Sequence, residues 1–485
     1  MLNIKIHKVL FDLSAKKRNR FNKYLQSPYF NVNEDVLLLF DAIIEVYNNN
    51  KEVNVKKEEL WSKVSFDAYD DAKFRQLNNK LLSLFEDFLA QEIYQEKKLT
   101  KPIFQLEHLK AEPFPVLTNQ LLKKSRKLAE RYKELSSEYH INLYSIENLY
   151  FTLTFDFQRK QRKVPKTEKF NLSKALHHLD VFYIAEKLKF LYIQLFWGAY
   201  FEEEDPSLFR NRILNLLDTG NYKDEILLQA FYFAIRTLTS PKKETYYHSL
   251  RTIVRTNFND FNEENKTFFY DSMLTYCVRQ VNKGNLKFQD ELFSLYQDAI
   301  EKEIIIKNER ISPITFRNVV LYSLRTANYE WAELFINNYS KYLQESEREN
   351  AINFNLSRVY FYQKQYGESL YTLNQVNLDD LFYDLNGRTL LLAVYYELGE
   401  TEPMLSSIDA FNAVLRRKKL SPAAKKRYKN YLKFTKKLAK IGPYNFAKIG
   451  QIKEELKTES MVNKQWIEEK VSELEEGTKK KAFRG

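Results

Sequence analysis

Few residues in this chain could do chemistry: six histidines (His7, His108, His140, His177, His178 and His248), one cysteine (Cys277) and scattered acid pairs such as Asp379-Asp380. Metal-assisted hydrolysis would need histidines that converge, as in H-E-x-x-H, where ligands at i and i+4 share a helix face. None of the six has that spacing or a cysteine beside it. His177-His178 is the only adjacent pair, and helix neighbours about 100° apart do not face one another. The pair is a poor metal site without ligands from elsewhere. Acyl or phosphoryl transfer often shows as G-x-S-x-G, G-x-G-x-x-G or G-x-x-x-x-G-K-[ST], and none is present. Cys277, between Tyr276 and Val278, reads as a core residue. Asp379-Asp380 reads as a turn or cap. The expectation is a chain that is not an enzyme and has no catalytic residue, cofactor or metal ligand.

One surface could act by charge alone. Residues 1–415 hold 55 Lys and Arg against 56 Asp and Glu, whereas residues 416–485 hold 21 against 8. Between 416 and 453 there are 14 basic residues and no acid. Ser421-Pro422 is a good helix start, with Pro at the first helical position. A helix from there to about Lys440 has two faces. Ala424, Tyr428, Tyr431, Leu432, Thr435, Leu438 and Ala439 form an apolar stripe, and Lys426, Lys429, Lys433, Lys436, Lys437 and Lys440 lie opposite. Two readings stay open. The helix packs on those before it while its lysines keep the outer face in water, or it offers nucleic acid, anionic lipid or an acidic protein an electrostatic surface. Lysine far outnumbers arginine here, and bidentate phosphate recognition prefers arginine.

The elements that position these groups are best seen in two adjacent stretches, Ile352–Val376 and Gly387–Phe411. Leu356 and Tyr360 in the first correspond to Leu391 and Tyr395 in the second, both at an offset of 35 residues. In the first, Leu356, Val359 and Tyr360 fall on one side of a helix, Lys364 and Gln365 interrupt it, and Tyr366 opens a second helix. Ser369 is small enough to let the two helices approach. In the second, Gly399 sits where the first helix should end, the position that favours left-handed backbone. Two further units fit more loosely, Val319–Tyr339 with a turn at Asn328-Tyr329 and Tyr276–Tyr296 with a turn at Gly284-Asn285.

This pattern resembles the tetratricopeptide repeat, a helix-turn-helix unit of about 34 residues. It departs from that consensus in its helix-A small position (Val320, Ser357, Leu392) and in lacking the closing Pro. An irregular helical bundle with accidental spacing is the plainer alternative. The resemblance implies an α-solenoid whose concave helix-A face holds a peptide or protein partner. In that register the face carries Arg317, Asn318 and Arg325 in one unit and Asn355, Arg358 and Tyr362 in the next, which suits an extended peptide with carboxylate groups. The lysine-rich carboxylate clamp of the family is not reproduced.

Upstream the chain is also helical. Ser14 caps a helix ending near Ser27-Pro28, Asn33 caps one over Glu34–Tyr47, a short helix carries Trp61, and a long one runs from Asp70 to Gln95. A short helix before a long one could be a nucleic-acid reader using Arg75, Asn78, Asn79 and Lys80. A solvated face is the plainer reading, since Asp70, Asp71, Glu86 and Asp87 would repel phosphate. Pro113 and Pro115 mark a break, the cluster Arg159–Lys163 reads as an exposed turn, Ser173 caps an apolar helix, and Glu202–Asp205 opens a new hairpin. Few breakers (Gly 10, Pro 11) and many aromatics (Tyr 33, Phe 36) fit an almost wholly helical protein. A lone cysteine excludes a disulfide framework. The first residues lack a leader's apolar core, the longest apolar run, Phe190–Phe201, is too short to span a bilayer, and a cytoplasmic protein is expected.

The segments SPYFN at Ser27–Asn31, LLSLFEDFL at Leu81–Leu89, ALHHLDVFYIAEKLK at Ala175–Lys189 and WIEEKVSEL from Trp466 are similar to a family of uncharacterised bacterial helical-repeat proteins, which implies a fold and no activity. The expected fold is all-α, an α-solenoid of stacked helical hairpins. We divide it into a small N-terminal helical domain (1–100), long hairpins (101–260), tetratricopeptide-like repeats (261–415) and basic capping helices with a tail (416–485). The expected function is a non-catalytic protein-interaction scaffold. The alternative is a nucleic-acid-associated regulatory protein using the basic helix within 416–453 and the N-terminal domain.

Overall fold

The computed structural model describes residues 4–49, 56–112, 114–160, 171–197, 207–220, 222–441 and 445–482. Among the described residues there are 23 α-helices, short 3-10 turns and no strand. The architecture is all-α, made of helical hairpins packed on their neighbours. No described helix is long and apolar enough to cross a membrane. The expected features at Pro113, Arg162–Lys163 and Glu202–Asp205 lie outside the described residues, as do the side chains of Arg159 and Lys160. The chain divides into two compact units, residues 1–232 with 259–262, and residues 233–258 with 263–485.

The first unit begins with α1 (Lys5–Asp12), α2 (Ala15–Leu25), α3 (Glu34–Asn49), α4 (Lys57–Val64) and α5 (Asp71–Glu96). Ser14 accepts a hydrogen bond from the Lys17 amide, Asn33 from Asp35 and Asp70 from Ala72 and Lys73, so each helix starts where a short polar side chain takes an orphan N–H. Phe21, Phe40, Phe85 and Phe88 meet in the core of this bundle. Helix α1 was not foreseen. Its Ile6 and Leu10, one turn apart, are buried, and His7 bonds Asn78 at 2.8 Å. Next come α6 (Thr100–Ala111), also unforeseen, α7 (Pro115–Arg131), α8 (Ser137–Lys160), α9 (Leu172–Trp197) and α10 (Ser207–Asp218). Helix α9 begins before Ser173, and the Asn171 carbonyl takes its first intrahelical bond, from Ala175. Helix α11 (Ile226–Thr239) carries the boundary between units.

The second unit opens with α12 (Thr245–Thr256), α13 (Glu263–Asn282), α14 (Phe288–Glu301), α15 (Pro313–Arg325), α16 (Tyr329–Tyr339), α17 (Glu345–Tyr362), α18 (Tyr366–Leu373), α19 (Leu381–Leu398) and α20 (Thr401–Arg417). Four hairpins here turn in the same way. After α13, α15, α17 and α19 the backbone takes a positive φ at Gly284 (90°), Ala327 (59°), Lys364 (62°) and Gly399 (78°). The next amide reaches back to a carbonyl five residues earlier: Asn285 to Gln280, Asn328 to Ser323, Gln365 to Tyr360 and Glu400 to Tyr395, at 2.8–3.0 Å. This is the Schellman closure of a helix end. Its recurrence makes the hairpins equivalent, including two where no glycine marks the turn.

That equivalence corrects one expectation. Tyr360 and Tyr395 do occupy matching positions, but as the residues whose carbonyls accept the turn bond, and their side chains are only partly buried. The buried anchors are Phe354, Ser357 and Val359 in α17 and Leu392, Ala393 and Val394 in α19. Ser369 is fully buried, and its hydroxyl donates to the Ser357 carbonyl at 2.8 Å, so a small residue does set the α17–α18 approach.

The chain ends in α21 (Pro422–Ala439), α22 (Phe446–Thr458) and α23 (Lys464–Ala482). Three helices stand where the sequence pointed to two and a frayed tail. Helix α23 runs through Glu475, which pairs with Lys453 of α22 at 2.7 Å.

Candidate anion-binding site

Helix α15 starts cleanly because Ser312 accepts a bond from the Thr315 amide and Pro313 needs no N–H partner. From that start, Phe316, Val319, Val320 and Leu324 turn into the core. Arg317, Asn318 and Arg325 are left at a partly open edge. In α17, Ala351, Phe354 and Val359 are buried, Asn355 is buried to 1% exposure, and Arg358 and Tyr362 are half-buried.

The structure brings most of these six residues together. Arg358 Nη1 donates to the Arg317 carbonyl at 3.5 Å and to Asn355 Oδ1 at 3.3 Å. Arg317 lies flat on the Phe382 ring of α19, 3.4 Å from its centroid. Arg325 lies over Tyr322 and Arg358 over Phe354, at 5.6 and 5.7 Å. Phe382 and Tyr383 meet Phe354 edge-on. Burial, and then the positive charges of Arg325 and Arg317, pull the Arg358 cation down to about 10, with Tyr362 acting against the shift. Burial also lowers Arg317, and Tyr383 and Asp380 oppose it. Asp380 is already engaged as the cap of α19, accepting from the Phe382 and Tyr383 amides.

Among the described residues, none of the three arginines forms an ion pair, and Arg325 Nε is buried without a partner. Three arginines thus stand on two packed helices with no ion pair among the described residues, and Asp380 is an acid whose charge favours the Arg317 cation. A desolvated cation without a counter-charge is costly, and an incoming anion would relieve that cost. One of the expected ligand contacts has another role. Asn355 donates to the Ala351 carbonyl and accepts from Arg358 Nη1. Sequence reasoning missed the aromatic floor of Phe354, Phe382 and Tyr383. Phe382 stacks on an arginine 65 positions away, and no local spacing encodes that.

The other sites singled out in the sequence fare differently. His177 and His178 diverge: His177 bonds Glu225 at 2.7 Å and His178 faces His140 at 3.1 Å. Burial, with neighbouring positive charge, lowers His140 and His178 to about 4, so both are neutral near pH 7. No group of three or more His, Cys, Asp or Glu among the described residues is arranged to hold a metal. Cys277 is buried, which pushes its thiol up to about 12. Asn78 cannot read nucleic acid, because it is buried and holds His7 and the Phe74 carbonyl, while Arg75 pairs with Asp71.

Helix α21 buries more than its expected stripe. Phe434, which follows Lys433, is fully buried along with Tyr431, Leu432, Thr435 and Leu438. The Tyr431 hydroxyl donates to the Thr389 carbonyl at 2.9 Å, fixing α21 to α19. Lys433 and Lys437 both reach Glu455 of α22, at 3.1 and 2.6 Å. Lys426, Lys429, Lys436 and Lys440 are exposed.

Comparison of the chain with known protein families and with curated proteins finds no match.

Proposed function

We propose that this chain is a non-catalytic scaffold of the cytoplasm, built from tetratricopeptide-like hairpins, that holds a peptide or protein partner across α15 and α17. The observation that carries this reading is the set of three half-buried arginines without an acidic partner. Such a cluster weakens the fold and gains its use when a partner supplies the anion. The repeated Schellman turn supports the tetratricopeptide-like part, since it places α15, α17 and α19 in equivalent roles. The basic helix α21 is read as a cap. Its apolar face is in the core, and two of its lysines are held by Glu455.

The test is partner capture with wild-type protein and with Arg358→Glu, followed by affinity measurement on the purified partner. A docking role predicts at least a tenfold loss, about 1.4 kcal/mol, with helicity unchanged. Equal affinity for both proteins means the partner sits elsewhere.

A further inference from the structure

The arginine cluster has more charge and more donors than a carboxylate can use. A carboxylate brings one charge and two oxygens. A phosphorylated side chain brings nearly two charges at pH 7 and three terminal oxygens. Here three arginines stand on the packed helices α15 and α17, with no ion-pair partner among the described residues. All three are arginine, whose planar fork matches phosphoryl oxygens pairwise, whereas lysine offers a point charge.

The supports of the cluster leave N–H edges free. Arg317 lies over the Phe382 ring, its guanidinium carbon 3.4 Å from the centroid. Arg358 commits Nη1 to the Arg317 carbonyl and Asn355, and its other nitrogens have no bond among the described residues. Arg325 Nε is a buried donor with no acceptor.

We propose that the group received by Arg317, Arg325 and Arg358 is a phosphoryl dianion carried on a side chain of the partner, so that the scaffold takes a phosphorylated segment of protein. This rests on the reading that α15 and α17 form the docking face. A nucleic acid would supply the same group, but the local geometry opposes it. A strand is bound by cations spread along its backbone and by open aromatic faces for its bases. Here the arginines lie on two packed helices, Arg317 covers Phe382, and Phe354 is packed by Phe382 and Tyr383.

The experiment uses the full chain and three immobilised peptide libraries that are identical except for a fixed central phosphoserine, serine or glutamate. Inorganic phosphate and a single-stranded RNA are the competitors. The expected result is at least tenfold stronger retention by the phosphoserine library, competition by millimolar phosphate, and loss in Arg317→Gln, Arg325→Gln and Arg358→Gln. Arg358→Lys, which keeps the charge and loses the fork, should fall between wild type and Arg358→Gln. Melting curves of each variant separate lost binding from lost fold. Equal binding of the glutamate library would overturn the phosphoryl assignment and leave the docking face standing. Binding of every library unchanged in the three glutamine variants, or no binding to any library, would overturn both. RNA retained more tightly than the phosphoserine library would overturn the protein partner.

Discussion

Helix α21 and the α15–α17 pair are both basic, and they differ in what surrounds the charge. On α21 four lysines stand in water and two more share Glu455. On α15 and α17 three arginines lie half-buried against aromatic rings, with no carboxylate paired to any of them. The segment that contains the first, residues 416–485, holds 21 basic residues against 8 acidic, and the second belongs to a stretch that is almost neutral by count. Yet water screens exposed charges to small energies, whereas partly buried ones interact strongly. A surplus of lysines marks a solvated face, and a few unneutralised arginines mark a place where charge is held at a cost.

The strongest way to break this comparison is to ask whether α21 is a structural element at all. Tyr431 is fully buried, and its hydroxyl is bonded to the Thr389 carbonyl. Tyr431→Ala should cost about 3–5 kcal/mol, as aromatic truncations in cores do. Urea unfolding followed by circular dichroism measures this. A cost below about 1 kcal/mol would mean that α21 is not docked as a cap, and its lysines would then need another explanation.

How much of this was legible before the structure varies with the range of the cause. The α17–α18 and α19–α20 hairpins were readable because Gly399, Ser369 and the 35-residue offset act within one hairpin. The six residues expected at the docking face could be grouped from the sequence because one helix face fixes their direction. The left-handed turns at Ala327 and Lys364 were not, since neither residue type announces positive φ. Helix α1 carries a short Ile6–Leu10 pattern that acquires meaning only from α5, through His7 and Asn78. Phe434 was left off the apolar face, and only tertiary packing shows that it is buried. The absence of an ion pair to the arginines among the described residues depends on three helices at once, and no sequence window contains it.

A second measurement compares the sign of the charge energy in the two regions. Because burial lowers the Arg358 cation, the fold disfavours its charged form. Arg358→Gln should therefore raise stability in the absence of partner, by about 1–2 kcal/mol, the scale for relieving an uncompensated charge. Lys437→Gln should do the opposite, since it removes a partner of Glu455, and by less than about 1 kcal/mol for an exposed pair. The Glu455 carboxylate is held low by hydrogen bonds from Lys437 and Lys433. Its contribution is present above the unfolded value of 4.5 and is lost as pH falls through the lower folded value. Denaturation midpoints at unchanged m-value test all three statements. A loss of stability in Arg358→Gln would show that the arginine has a compensating partner.

The smallest effect expected is on nucleic acid. If Lys426, Lys429, Lys436 and Lys440 each neutralised a phosphate, log K against log salt would fall with a slope of roughly −3.6 on duplex DNA. Lys433 and Lys437 add little, because Glu455 would have to release them first. A variant with the four exposed lysines changed to Gln should bind a duplex as weakly as wild type at physiological salt. The lysines are solvated, Arg427 is the single arginine on α21 and is exposed as they are, and the face that could close over a groove is already buried in the core. A steep slope in wild type, lost in the variant, would make α21 a second binding surface and remove the distinction between the two regions. A flat response in both proteins leaves the arginines of α15 and α17 as the basic residues proposed to work, because there charge is held half-buried with no ion pair among the described residues.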